Sequence, residues 1–471
     1  MNSLHQNADV VLSGLPPESS EGLLQDIRTT FLESQRTLIV LDDDPTGTQT
    51  CYDVVVLTSW SVPLLVEELE KNPSIIFILT NSRSVSEKDA IALAQDIGKN
   101  LLAATARCRR EIVVISRSDS TLRGHFPAEV DAIANTLRIS HAVRVLVPAF
   151  IEGGRFTIGD VHYIREHDKL VPVSETPFAA DNVFGYANSN LKKWVEEKTK
   201  GSVSSSQVKS ISLEDIRLGG VDAVKAKLAT CTPGQVCIVN ACSHRDLEVL
   251  VMGLLKAERA GQTFIYRTSA TFVPIRAGIP AGKSYIPGAT ETASSNGSLV
   301  IVGSYVPKTT RQLKELLNQR THHSIEIDVP RLLRAPDNQA YTIQVVKETE
   351  QFLRRGRDVV IHTSRELQTA EDAVGNLRIN KTVSLFLVGV LADLGVRPSF
   401  VVAKGGITSS DLATKALGAK RALILGQIIP GVPVWKMDKT SRFPEMIYVV
   451  FPGNVGDDYA LAEVCKRVAG K

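Results

Sequence analysis

Asp42, Asp43 and Asp44 close the apolar run Leu38–Leu41 and open onto the turn Pro45-Thr46-Gly47-Thr48. A run of Leu, Ile and Val reads as a buried strand, and in open α/β sheets ligands gather just beyond the carboxyl ends of strands. Carboxylates placed there can accept or orient the proton of a substrate hydroxyl, or reach Mg²⁺ through water. Asp43 and Asp44 are therefore the candidate catalytic groups, and Asp42 is the candidate for a water-mediated magnesium contact. A single Asp in such a turn serves equally well as a helix cap. Three in series point instead to chemistry on a small polar ligand.

Three other strand ends carry arginine. Asn81-Ser82-Arg83-Ser84 follows the run Ile75–Leu79, and Ser116-Arg117-Ser118-Asp119-Ser120-Thr121-Leu122-Arg123-Gly124 follows Ile112–Ile115. Pro148-Ala149-Phe150-Ile151-Glu152-Gly153-Gly154-Arg155 follows Val143–Val147. A guanidinium is a rigid bidentate fork for carboxylate or phosphate. Any one of Arg83, Arg117, Arg123 and Arg155 alone reads as a surface salt bridge. Together, beside Asp43 and Asp44, they describe a pocket for a polyhydroxylated acid.

The C-terminal half carries a different chemistry. Gly303-Ser304 follows the run Leu299–Val302, Lys404-Gly405-Gly406-Ile407-Thr408 follows Phe400–Val402, and Gly453-Asn454-Val455-Gly456 follows another apolar run. Glycines ahead of a helix let backbone N–H groups approach an anion, and the helix N-terminus adds partial positive charge. One such loop is an ordinary turn. Three in one domain suggest nucleotide phosphates.

These residues need a scaffold, and the pattern supplies one. Apolar runs at Leu38–Leu41, Val54–Leu57, Ile75–Leu79, Ile112–Ile115, Val143–Val147, Val236–Val239 and Phe264–Tyr266 predict strands. A second series predicts strands at Leu299–Val302, Val359–His362, Phe400–Val402, Leu423–Leu425 and Tyr448–Val450. Between them lie helical patterns such as Glu87–Ala104, Ala128–Arg138, Arg245–Ala260 and Thr382–Leu394. Such alternation argues an α/β fold of two domains, each a mainly parallel sheet covered by helices, with the active site in the cleft between them. The aperiodic stretch Gly278–Gly297, rich in Gly, Pro, Ser and Ala, sets the boundaries. They are an N-terminal extension 1–36, an acid-binding domain 37–280, a linker 281–297 and a nucleotide-binding domain 298–471.

Composition excludes several classes. In 471 residues the net charge is +3 and aromatics make up 6%, too mild a charge and too few stacking rings to argue for nucleic acid. Six scattered cysteines form no C-x-x-C pair and read as reduced thiols. No stretch approaches about 18 apolar residues, and the N-terminus lacks a charged-then-apolar leader, so a cytoplasmic protein without a membrane partner is expected. Gly278-Ile-Pro-Ala-Gly282-Lys283-Ser284 imitates a P-loop, but three residues separate its glycines where that loop has four. Asp42-Asp43-Asp44-Pro45-Thr46 fits the nucleophile loop of haloacid-dehalogenase-type phosphatases, with Asp457 and Asp458 as an acidic pair, although Gly47 stands where an apolar residue is usual.

The order of motifs carries more than any one of them. It runs Asp-Asp-x-Thr-Gly, Asn-x-Arg-Ser, Asp-Ser-Thr-Leu-Arg-Gly, Pro-Ala-Phe-x-x-Gly-Gly-Arg and Glu-Thr-Pro-Phe (Glu175–Phe178), then Gly-Ser, Gly-Gly-x-Thr, Pro-Gly-Val-Pro (Pro430–Pro433) and Gly-Asn-x-Gly. From Thr37 to the C-terminus this order resembles the four-carbon acid sugar kinase family, whose members include kinases of D-threonate, D-erythronate and 3-oxo-tetronate. The resemblance implies a sugar-acid domain, an ATP domain and phosphorylation of a hydroxyl. It implies substrate contacts at Asp44, Arg83, Arg117, Asp119 and Ser120, and nucleotide contacts at Ser304, Gly405, Gly406, Thr408 and Gly453. Arg117 stands where Lys is common in the family, and Phe451 where a Lys is usual.

The resulting expectation is in-line transfer of the ATP γ-phosphoryl group, with Mg²⁺, to a hydroxyl of an acyclic sugar acid. Positioning and charge neutralisation would carry most of the rate. Arg83 and Arg117 would hold the substrate carboxylate, with Arg123 and Arg155 beside them. The partners expected are the sugar acid and ATP, with a homo-oligomer left open. The acidic-loop phosphatase and a catalytically silent carbohydrate-binding or effector protein are the alternative classes.

Overall fold

The computed structural model describes residues 6–280, 284–287, 295–335, 337–366, 368 and 373–470. Most of the expected linker, with Gly282 and Lys283 of the P-loop-like stretch, lies outside these residues. The chain divides into two compact units. One comprises the described residues up to Gly47 and those from Ser59 to the linker; the other comprises Thr48–Thr58 and the described residues after the linker.

In the N-terminal unit seven strands form a parallel sheet. Their spatial order is Lys209–Ile211, Val236–Val239, Val143–Val147, Phe264–Thr268, Ile112–Arg117, Thr37–Asp42 and Ile75–Leu79. Every residue of Thr37–Asp42 and Ile75–Leu79 is buried, as expected of parallel strands covered on both faces. Among the covering elements, helix Glu87–Cys108 packs on helix Ala128–Thr136, and Leu24–Glu33 packs on His244–Arg259. The helix starts are fixed locally: Ser86 Oγ accepts the Asp89 N–H, and Ser243 forms a reciprocal box with Asp246.

The chain leaves Thr37–Asp42 for Ile75–Leu79 on one side, then crosses to Ile112–Arg117 on the other. The strand order therefore reverses at Thr37–Asp42, and such a switch point is where α/β sheets open a crevice at their carboxyl ends. Register places Asp42 opposite Arg117 on one side and Leu79 on the other.

A second, antiparallel sheet of Gln6–Asn7, Lys169–Pro172, Val161–Glu166 and Arg155–Ile158 is absent from the sequence reading. The extension contributes Gln6–Asn7 to it and also forms helices Ala8–Ser13 and Leu24–Glu33.

The C-terminal unit has an eight-stranded mixed sheet, ordered Val54–Leu57, Arg421–Ile429, Val432–Met437, Ile447–Phe451, Phe400–Lys404, Leu299–Val302, Val359–Thr363 and His323–Ile327. The first three pairings are antiparallel and the last four parallel. Val54–Leu57, read from the sequence as part of the first domain, pairs with Arg421–Ile424 of this unit. Position in the chain suggested otherwise; the ladder decides it. Helix Pro307–Asn318 packs on Ala460–Val468, and Gln339–Leu353 on Ala373–Asp393.

Candidate active site

Three strand ends of the N-terminal unit meet at the aspartate triplet. Asp42 is fully buried, and its Oδ1 accepts from Arg117 Nη1 at 3.2 Å. Gly47 returns over it so closely that any Cβ there would overlap the carboxylate. Burial pushes the Asp42 carboxyl up to about 7 against the pull of Arg117, with Asp43 adding to the rise. Asp42 was the sequence candidate for a water-mediated magnesium contact. Gly47 and Arg117 pack against it, and its Oδ2 has no hydrogen-bond partner among the described residues.

Asp43 is also buried. Its Oδ2 accepts from Ser118 Oγ at 2.5 Å, and its Oδ1 lies 3.1 Å from Arg83 Nε. Asp44 is the open member, its side chain 26% exposed, and its Oδ2 lies 2.9 Å from Arg83 Nη2. The Thr46 N–H and hydroxyl both donate to Asp44 Oδ1. Burial would raise the Asp44 carboxyl, but Arg83 and Thr46 outweigh it and hold it below the usual carboxylate range. Asp44 is thus held ionised at neutral pH and is the most exposed of the three.

Asp119 closes the ring. It lies 3.6 Å from Arg83 Nη1 and accepts from Arg123 Nε at 2.8 Å. Burial opposes its ionisation, yet Arg83 and Arg123 keep its carboxyl far below the usual range. Arg83 therefore spans Asp43, Asp44 and Asp119, and Arg117 serves Asp42 with Asp43 at 4.0 Å. These two arginines were expected to hold a substrate carboxylate. In the structure both pair with the protein's own carboxylates, and the Nε of each has no hydrogen-bond partner among the described residues.

Arg155 differs. Among the described residues it has no ion pair; its Nη1 donates to Gly153 O and it lies over the Phe150 ring at 5.8 Å, while its Nε, like those of Arg83 and Arg117, has no hydrogen-bond partner. Burial lowers its pKa, with Asp119 and Glu166 opposing. Ser120 is held through its carbonyl, which accepts from His162 Nε2 at 2.8 Å, with Thr157 Oγ1 against Nδ1. His162 is pushed down to about 4 by burial and so stays neutral.

Sequence reading missed Ser118, His162, Glu129 and Arg267. Arg267 is 2% exposed, lies over the Trp194 ring, and donates to Ser118 Oγ at 3.1 Å, Arg123 O at 2.8 Å and Asp119 O at 3.3 Å. It braces the 118–123 loop from beneath. A buried strand ending in Arg, as at Arg117, was the available signal.

In the C-terminal unit the three Gly/Ser loops converge. A Cβ at Gly405, where φ is +121°, would meet Ser304 Cβ and Thr408 Oγ1 at 3.2 Å, so glycine is required for both conformation and space. A Cβ at Gly453 would stand 3.3 Å from Ser304 Oγ. Thr309 Oγ1 lies 3.2 Å from Ser304 Oγ and 3.1 Å from Gly453 O, and the Gly405 N–H donates to Phe451 O at 2.9 Å. Gly406 begins the short helix Gly406–Asp411 that carries Thr408. Ser304, Gly405, Thr408 and Gly453 thus line one cradle.

Two cations absent from the sequence candidates stand beside it. Lys404 is fully buried, donates to Pro452 O at 2.6 Å, and lies 3.7 Å over the Phe451 ring; burial, with Lys308 adding, pulls it down to about 6. Arg365 Nη1 donates to Ser304 O at 2.8 Å.

Two family models match the chain, a sugar-binding N-terminal domain over residues 38–275 and a nucleotide-binding C-terminal domain over residues 299–461. The chain belongs to the four-carbon acid sugar kinase family. Within this family, a D-erythronate kinase of Heliobacterium modesticaldum is 23% identical over 304 residues, covering 63% of this chain and 64% of that protein. A D-threonate kinase of Bordetella bronchiseptica is 29% identical over 160 residues, covering 32% of this chain and 37% of that protein. The chain therefore spans less than two thirds of the length of these relatives. The fold is that of Haemophilus influenzae protein HI1011, with a TM-score of 0.63 at 17% identity over 91% of this chain and all of that one. A Salmonella typhimurium LT2 protein described as a putative tRNA synthase shares it, with a TM-score of 0.66 at 18% identity over 91% of this chain and 98% of that one. Among the described residues no helix is long and apolar enough to cross a membrane.

Proposed function

We propose that this member of the four-carbon acid sugar kinase family transfers the γ-phosphoryl group of ATP to a hydroxyl of a four-carbon sugar acid. The observation that carries the reading is Asp44: an ionised, partly exposed carboxylate at a sheet switch point, paired with an arginine that also binds Asp43 and Asp119. A loose phosphoryl-transfer transition state asks the protein mainly for position and charge. Asp44 orients the acceptor hydroxyl and receives its proton, and Asp43, fixed by Ser118 and Arg83, keeps Arg83 in place.

Arg83 and Arg117 are already matched by aspartates, so Arg155 is the arginine open to the substrate carboxylate. The cradle of Ser304, Gly405, Gly406, Thr408 and Gly453 receives the nucleotide phosphates, with Ser304 and Thr408 offering hydroxyls and the glycines letting the phosphates approach the backbone closely. Magnesium brought with the nucleotide would neutralise phosphate charge, and Asp44 is the most exposed member of the triplet.

The phosphatase alternative needs Asp42 as nucleophile. That carboxylate is buried behind Gly47 and bonded to Arg117, and Asp458 pairs with Arg311 at 2.8 Å. Neither arrangement serves an attacking aspartate with a metal-binding partner.

A screen of D-threonate, D-erythronate, L-threonate and 3-oxo-tetronates with ATP and Mg²⁺, reading ADP release, tests the proposal. ADP formation that depends on one of these acids supports it. Ligand binding without turnover selects the silent carbohydrate-binding reading instead.

A further inference from the structure

We propose that Arg365 supplies a half-buried positive charge for the phosphates of the nucleotide, a role that rests on the phosphotransfer reading above. Arg365 stands two residues beyond the strand Val359–Thr363, whose neighbour Leu299–Val302 leads directly into Gly303-Ser304. Its Nε and Nη2 donate to Thr363 O at 2.9 and 2.8 Å, Nη2 also donates to Thr363 Oγ1, and Nη1 donates to Ser304 O at 2.8 Å. The guanidinium is thereby fixed against the residue whose hydroxyl lines the cradle. One Nη1 hydrogen remains without an acceptor among the described residues.

All these acceptors are neutral. Among the described residues Arg365 has no carboxylate within 4.0 Å, whereas Arg83, Arg117 and Arg123 each have at least one. Neutral oxygens orient a guanidinium without cancelling its charge, and a charge partly withdrawn from water with no counter-ion carries a cost. Burial accordingly depresses the Arg365 pKa, with only Glu326 opposing. An anion arriving at Ser304 removes that cost.

The other cations at the cradle are less suited. Lys404 is turned to Pro452 O beneath the loop, and Lys308 is at the surface with its Nζ 3.3 Å from Asn454 O. A triphosphate brings several negative charges into this space, and Arg365 is the guanidinium fixed beside it.

The test is binding of adenosine, ADP and a non-hydrolysable ATP analogue with Mg²⁺, measured calorimetrically on wild type, Arg365→Gln and Arg365→Lys. Loss of a charge-assisted contact weakens the ATP analogue about tenfold or more in Arg365→Gln. ADP should lose less, adenosine nothing, and Arg365→Lys should recover part of the loss. Unchanged analogue binding in Arg365→Gln overturns the role, as does an equal loss for adenosine, which would mark Arg365 as holding the cradle's shape. If Arg365→Gln does not fold, Arg365→Lys decides alone: a deficit that grows with phosphate number supports the role, and a uniform one or none overturns it. Wild type that binds none of the three nucleotides overturns the phosphotransfer reading itself, a distinguishable result.

Discussion

Arg83 Nη2 lies 2.9 Å from Asp44 Oδ2, so the most open carboxylate of the triplet is aimed by an arginine that simultaneously binds two others. This pairing gives Asp44 its low pKa and its direction. Asp44→Asn should lower kcat by about 10² or more, the scale for losing an acid–base partner. Its melting temperature should stay near that of wild type, because a quarter-exposed strand-end side chain contributes little to the core. Steady-state kinetics with a thermal melt checks both; a variant with near-normal kcat contradicts the role.

Arg83 and Arg155 should fail differently. Arg155→Gln should raise KM for the sugar acid about tenfold or more while leaving KM for ATP unchanged, since a bidentate carboxylate contact is lost from substrate binding. Arg83→Lys should instead lower kcat, because a point charge cannot bridge Asp43, Asp44 and Asp119 together. If Arg83→Lys shows a pure KM effect, the substrate carboxylate sits on Arg83 after all.

Gly405 separates the two ligands. ATP with Mg²⁺ should raise the melting temperature of wild type, as any ligand selective for the native state does. Gly405→Val fills the space against Ser304 and Thr408 and should abolish that shift while sparing the shift caused by the sugar acid. Loss of both shifts, or of neither, contradicts the assignment of the phosphates to this loop.

Glu129 gives a pH signature. Burial first, then Asp43, pushes its carboxyl from 4.5 up to about 7. Between those values the folded state binds more protons than the unfolded state. The stabilisation is therefore full below pH 4.5 and is lost as pH rises through about 7. Glu129→Gln lacks this loss, so relative to wild type it should gain on the order of 2–3 kcal/mol between pH 5 and pH 8. Denaturant unfolding of the ligand-free proteins measures it, and a constant offset across that range contradicts it.

The strand ends were legible because parallel strands buried on both faces are continuous apolar runs. Every run named in the sequence became a strand, with boundaries shifted by a few residues where polar ends such as Asp42, Arg117 and Lys404 remain in the ladder. The Arg155–Pro172 meander was not legible, since its charged and half-exposed residues give no such run. Nor was the pairing of Val54–Leu57 with Arg421–Ile424, which depends on contacts far apart in sequence.

Within the site, residue types were readable and partners were not. Arg83 and Arg117 were identified as cations at the right place, but the sequence does not reveal that four aspartates meet them. Arg267 and Arg365 escaped because each supports a loop through backbone carbonyls, a contact without a motif.

The most direct measurement follows phosphorus from ATP to product. Purified protein is incubated with ATP, Mg²⁺ and each four-carbon acid, and the products are resolved by ³¹P NMR and mass spectrometry. For at least one acid, a phosphate monoester of that acid should form in step with ADP, with little free phosphate. Free phosphate without a sugar-acid ester, or no ADP with any of the acids, would contradict it.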